Sequence, residues 1–320
     1  MTSVCRKRFQ LIHPLSIIRV FILFLMLFCT VSADSQSGHL PLTASSRFTV
    51  SIGPSMLKAF QNAYPDVEFT SEWDNELSDW RITMNYEGRT IQLYWCDGRM
   101  LPLEKFDLQE KYDSLLYVYP YYIPDPATFS DEKVQEILDE TSVAVRTASY
   151  GTGTFFYDFI YDTTTRTRAD RHIVKTTFLG KTINVHEKLK SLLQAIERDV
   201  KWLAQSDTEV NAFVTNLDRC DGFNWREIAD SGNRSVHSLG IAVDILPKGW
   251  GQKNLYWQWR RDIAGDAWVT TPLSRRWLIP DKVVAIFEKY GFVYGAKWKI
   301  WDNMHMEYKP ELLEYRSLLE

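Results

Sequence analysis

Positive charge is not in excess in this 320-residue chain: 37 Lys and Arg stand against 41 Asp and Glu, a formal net charge of −4. With a pI near 5.9, the chain lacks the basic patch or tail expected of a nucleic-acid-binding protein. Long apolar runs are also missing, apart from one short stretch near the start. None reaches the ~20 apolar residues of a membrane span, so no stable span is expected in the mature chain. Cysteine is rare, with 4 in all. No internal repeat and no low-complexity tract is present. What is there is 45% hydrophobic and 14% aromatic, enough to bury a core and to exclude disorder over most of the length. The size suits one large domain or two small ones.

The first 33 residues read as an address. Arg6, Lys7, Arg8 and Arg19 precede any acid, Val20 to Phe28 is unbroken apolar sequence, and Val31-Ser32-Ala33 offers small residues for cleavage. This is the pattern of a secretory signal peptide. The expectation is export to the periplasm or cell envelope, with membrane anchoring through an uncleaved leader as the alternative. Cutting after Ala33 removes four basic residues and no acidic one, taking the net charge from −4 to −8. Cys5 and Cys29 leave with the leader. Cys96 and Cys220 remain, either as a pair suited to an exported protein or as two buried thiols.

Residues 34–46 are Ser-rich and polar, a loose tether. Trp80–Tyr86 and Arg89–Trp95 alternate in polarity around Glu87-Gly88, which predicts a β-hairpin. Ser130 opens a short helix through Val134, Ile137 and Leu138. The polar stretch 162–170 marks a soft boundary, giving an N-terminal region, 34–170, of unassigned role and a second domain, 171–320. In the latter, Asn184 and Glu187 form a capping-box-like start to a helix carrying Leu189, Leu193, Ile196 and Val200 at helical spacing. A further helix starts at Pro280 and stops at Gly291. Strand-like runs cover 240–246 and 297–308. The fold class is α+β: a small antiparallel sheet carrying the site, packed by helices, with an N-terminal α+β extension or domain.

Two segments carry chemistry. In Ser235-Val-His-Ser-Leu-Gly-Ile-Ala-Val-Asp244, Ile241, Val243 and Ile245 mark one strand face, and Asp244 lies on the other amid apolar sequence. A buried carboxylate there needs a cation, a metal or a set of donors, and His237 is near enough for a turn to bring it alongside. In Trp301-Asp-Asn-Met-His-Met-Glu-Tyr308, His305 and Glu307 share a face of an extended chain. Asp302, three residues before His305, can reach a metal-bound water without being a ligand. Together the segments supply two imidazoles and one carboxylate, leaving a fourth tetrahedral position for water, which is the composition of a catalytic zinc site. A hydrogen-bonded core without metal is the bland alternative.

These paired motifs resemble the zinc peptidases that cut peptidoglycan stem peptides. That group includes the D-Ala-D-Ala carboxypeptidases and dipeptidases of vancomycin resistance, and the phage L-alanyl-D-glutamate endolysins. The resemblance spans about 175–320, including Phe178-Leu-Gly-Lys181 and Phe223-Asn-Trp-Arg226. It implies His237, Asp244 and His305 as zinc ligands, Asp302 as general base and Arg226 on the substrate carbonyl or carboxylate. Glu307 is then placed behind a ligand histidine, and Ser235 braces the His237 turn. Asp302 stands where the resistance enzymes usually carry Glu, as in the endolysins, and Met306 replaces a usual Phe. The resemblance thus implies a carboxypeptidase or an endopeptidase acting on stem peptides. The competing reading is a zinc-containing wall-binding module without turnover. Arg234 reads as a surface residue, His39, His172 and His186 as solvated or capping residues, and 256–261 as an aromatic, basic loop beside the cleft.

Overall fold

A computed structural model of the chain describes residues 55–228 and 233–320. The expected leader, its cysteines, the tether and His39 lie outside these residues. The architecture is mixed helix and sheet, with small antiparallel sheets. Among the described residues, no helix is long and apolar enough to cross a membrane.

Helix α1 (Leu57–Ala63) leads into three antiparallel strands, β1 (Glu68–Asp74), β2 (Asp79–Tyr86) and β3 (Arg89–Tyr94), with β2 central. The expected hairpin is β2–β3, with Ile82 opposite Leu93 and Met84 opposite Ile91. Glu87 and Gly88 at its tip both have positive φ, 50° and 74°, as a two-residue hairpin turn requires. Then come β4 (Tyr112–Asp113), α2 (Asp131–Glu140), α3 (Val143–Ala148), β5 (Gly151–Thr152), α4 (Phe155–Tyr161) and α5 (Arg166–His172). Ser130 caps α2, its hydroxyl oxygen accepting the Lys133 N–H at 3.2 Å. The polar stretch at 162–170 contains most of α5, and residues on both sides of it share one core cluster: Phe60 and Phe156 with Phe178 and Phe287.

A second hairpin, β6 (Ile173–Phe178) and β7 (Lys181–His186), feeds α6 (Glu187–Leu203). Here the expected cap is corrected. Asn184 lies within β7 opposite Lys175. The cap is His186, whose Nδ1 accepts the Lys188 N–H at 3.2 Å. Ile183 and Val185 are both buried, so their alternation keeps the chain extended for two residues beyond Asn184. Leu189, Leu193, Ile196 and Val200 then line the buried face of α6.

After α7 (Thr208–Thr215), the sheet that carries the candidate site is built from β8 (Leu217–Asp221), β9 (Ala242–Pro247), β10 (Phe292–Tyr294) and β11 (His305–Tyr308). Its order is β10-β11-β9-β8, antiparallel throughout. Between β9 and β10 lie α8 (Trp257–Ala264) and α9 (Asp281–Lys289), and α10 (Pro310–Leu318) follows β11. α9 buries Val283, Val284 and Phe287 and ends before Gly291, at φ 89°. Two expectations change here. Trp257–Arg261 is helical, not a loop. Of 297–308, only His305–Tyr308 is strand, because Gly295–Lys297 forms a 3₁₀ turn. Cys96 and Cys220 are buried free thiols.

Candidate metal centre

The two middle strands of the sheet set the site. Asp244 on β9 and His305 on β11 are directly opposed in register, which brings their side chains together on one face. His237 arrives from a 3₁₀ turn, Val236–Leu239, that begins at Ser235. The Ser235 hydroxyl oxygen accepts the His237 N–H at 3.3 Å. Gly240 closes the turn at φ 72°. A Cβ there would sit 2.7 Å from the His186 backbone nitrogen, so this return into β9 needs glycine.

His237, Asp244 and His305 each point one ligand-type atom at a common point, all within 4.8 Å of one another. His237 Nε2 is 3.2 Å from Asp244 Oδ2 and 3.3 Å from His305 Nδ1. His305 Nδ1 is 2.9 Å from Asp244 Oδ1. A tetrahedral ion with ligand bonds of about 2.0–2.1 Å has ligand atoms about 3.3 Å apart; the two imidazole nitrogens match that spacing, and Asp244 faces each imidazole with a different oxygen. The outer partners also fit. His237 Nδ1 donates to the Gly222 carbonyl at 2.7 Å, and His305 Nε2 faces Glu307 Oε2 at 3.3 Å. With both outer nitrogens as donors, the inner ones present lone pairs to each other and to a carboxylate. A positive charge among them, either a proton on an imidazole or a bound metal ion, relieves that repulsion, and two nitrogens with one oxygen suit zinc.

The carboxylates at this centre are driven apart. Burial opposes ionisation of Asp244, but His237 and His305 outweigh it and hold its carboxyl well below the ordinary range. For Asp302, burial and repulsion by Asp244 push the carboxyl up to about 7, against the pull of His305 and Arg226. Burial also works against charging His305, but its bonds to Asp244 and Glu307 raise it to about 10. Burial would raise Glu307, yet Lys309 and His305 bring it down to about 2. Asp302 is half-buried, with its Oδ1 accepting the Met304 N–H at 3.4 Å.

All these groups line one cleft of about 1590 Å³, together with the exposed Arg226. One wall comes from the N-terminal region, including Tyr117, Arg146 and Gly153. Another comes from Tyr256, Trp257 and Trp259. Arg234 is not the free surface residue expected. Its guanidinium pairs with Asp158, donates to the Thr163 carbonyl at 2.8 Å and lies 5.0 Å over Trp225. Asp158 also accepts the hydroxyls of Thr154 and Thr163 at 2.8 and 2.9 Å. His172 bonds to Glu187 and Asp162.

Sequence reasoning passed over several residues at this centre. Gly222 orients His237 through a carbonyl, for which the sequence gives no sign. Trp298 packs its ring 5.5 Å from that of His305, and its indole N–H donates to the Tyr117 hydroxyl at 2.8 Å. Lys309 pairs with Glu307 at 2.8 Å. The alternation His305-x-Glu307-x-Lys309 was the available signal for it.

Residues 229–308 match a family model described as D-alanyl-D-alanine carboxypeptidase. The match covers His237, Asp244, Asp302, His305 and Glu307, and it supports a carboxypeptidase-like peptidase. Residues 56–117 match a second model, a domain of unknown function. No curated protein and no solved structure matches the chain.

Proposed function

We propose that this chain is an exported zinc metallopeptidase that hydrolyses peptide bonds in peptidoglycan stem peptides. The observation that carries the reading is the convergence of His237 Nε2, Asp244 and His305 Nδ1 in a cleft also lined by Asp302, within a segment matching a carboxypeptidase family. When bound, zinc polarises the scissile carbonyl and lowers the pKa of water.

The chain's own residues do the rest. His237, Asp244 and His305 would hold the ion, with Glu307 and Gly222 fixing the imidazoles. Asp302, with a carboxyl near 7, takes a proton from the attacking water and returns it to the leaving amine. Arg226 on the cleft wall supplies donors to the developing oxyanion or to a substrate carboxylate.

The cleft, at about 1590 Å³, exceeds the roughly 300–1,000 Å³ of an ordinary small-molecule site, which favours a stem peptide over a free dipeptide. Asp302 is one methylene shorter than Glu, which favours L-alanyl-D-glutamate endopeptidase geometry over the D-Ala-D-Ala type. The non-catalytic wall-binding reading is disfavoured by Asp302, a half-buried acid in the same cleft as His237, Asp244 and His305, with a carboxyl raised by burial and by Asp244. Export rests on the leader at 1–33. Incubating the mature protein with defined muropeptides, and reading the products by mass, tests both activity and bond. Intact muropeptides in the presence of zinc would overturn the enzymatic reading.

A further inference from the structure

We propose that Lys309 is a positioning residue of the metal centre: it holds the Glu307 carboxylate against His305 and so fixes which imidazole nitrogen faces the ion. The proposal rests on the zinc reading above and extends it to a residue one position beyond the family match.

His305, Glu307 and Lys309 occupy alternate positions along β11 and its extension, so their side chains leave the backbone on one side. All three are buried, at 8%, 3% and 6% exposure. A lysine is almost never buried so far without a specific partner, and here the partner is explicit. Lys309 Nζ lies 2.8 Å from Glu307 Oε1, while Glu307 Oε2 lies 3.3 Å from His305 Nε2. One carboxylate thus spans an ammonium and an imidazole, one oxygen to each.

The ammonium is itself held. The Lys309 backbone N–H donates to the Gly291 carbonyl at 3.0 Å. Its Nζ lies 5.8 Å from the centre of the Tyr157 ring, whose hydroxyl is already committed to Glu311. Without the ammonium, Oε1 of Glu307, a residue only 3% exposed, loses its charged partner. Only the 3.3 Å contact with His305 itself then keeps Oε2 opposite Nε2, so the carboxylate is freer to turn away from the imidazole and to stop reserving Nδ1 for the ion. Partners one step behind a ligand, as Glu307 is, commonly set metal affinity by about 10- to 100-fold, and Lys309 acts through that partner, so this range is the ceiling for its own effect.

The test is zinc affinity of the full-length protein, measured by competition with a chelator and without substrate. Lys309→Met is expected to weaken zinc binding by up to about 100-fold, and Lys309→Arg to recover most of the loss. In a Glu307→Gln background, Lys309→Met should add less than about 2-fold, because the two residues act as one unit. Unchanged zinc affinity in Lys309→Met, with only the zinc-free protein losing thermal stability, would mark a purely structural ion pair and overturn the proposal. So would a full loss persisting in the Glu307→Gln background. Should Lys309→Met fail to fold, Lys309→Gln is read against the same outcomes. A wild-type chain that binds no zinc sinks the peptidase reading as well, whereas tight wild-type binding that ignores Lys309 sinks this inference alone.

Discussion

Asp244 and Asp302 are carboxylates of one cleft with opposite environments. Asp244 touches two imidazoles and stays ionised. Asp302 lies beside that charge, with burial as its dominant influence, and its carboxyl rises to about 7. Two titratable groups pushed apart in this way can divide the labour of a site: in the proposed mechanism Asp244 holds the cation and Asp302 moves the proton. Asp302→Asn keeps the shape and removes the proposed base. It should retain zinc, measured as metal content of the purified protein, while stem-peptide turnover falls by at least about 100-fold. On the zinc reading, His237→Ala should instead lose the metal itself, since its Nε2 is one of the three atoms that could hold it. At this scale the sequence was informative where side chains do the work. A carboxylate in an apolar strand and a histidine two residues from a glutamate show their chemistry in their letters. Gly222 acts through a backbone carbonyl and Tyr117 through a fold contact to Trp298, and neither leaves a mark in the local pattern.

Helix α6 shows why element boundaries are harder to read than element types. Its buried face follows the spacing of Leu189, Leu193, Ile196 and Val200, but its start is set by burial of Ile183 and Val185 in β7, which moves the cap from Asn184 to His186. Likewise, the aromatic and basic residues from Trp257 onward lack a clean apolar stripe, and they form α8 because Trp257 packs against Trp268. The His186 cap has a consequence for stability. Burial lowers its imidazole from 6.5 to about 4, against the pull of its bond to the Tyr161 carbonyl. Between those values the unfolded chain binds a proton that the folded chain refuses, so this contribution is complete above 6.5 and is lost as pH falls toward 4. The loss from pH 7 to pH 5 is about 2 kcal/mol. His172, stacked on it at 5.4 Å, runs the other way, because its hydrogen bond to Glu187 raises it. The comparison is therefore between wild type and His186→Asn, whose amide oxygen can still cap. Urea unfolding of zinc-free protein from pH 7 to 5 should show a smaller decline in the variant; parallel curves would refute the assignment.

Across the whole described molecule, the candidate metal centre and the N-terminal region are mechanically joined. Asp158 in α4 grips Arg234, next to the Ser235 cap of the His237 turn. Tyr117 holds Trp298 against His305. Beneath these contacts, one core cluster runs from Leu57 to Leu312. Within it, Phe156 is fully buried and packs its ring against Phe60, Tyr64 and Tyr157 at 4.9, 5.1 and 5.3 Å. Removing that ring leaves a cavity the neighbours cannot fill, and Phe156→Ala should cost about 3–5 kcal/mol. Since the damaged core also carries β9 and β11, the loss should reach the distant candidate metal site. Unfolding followed by tryptophan fluorescence and by release of bound zinc should give one shared midpoint, lowered together in Phe156→Ala. Free zinc at 100 times its dissociation constant should raise stability by about 2.7 kcal/mol in wild type and variant alike. If zinc release kept its wild-type midpoint while the fluorescence transition fell, the N-terminal region would be a separate folding unit, and its contacts with Arg234 and Trp298 would not couple it to the metal.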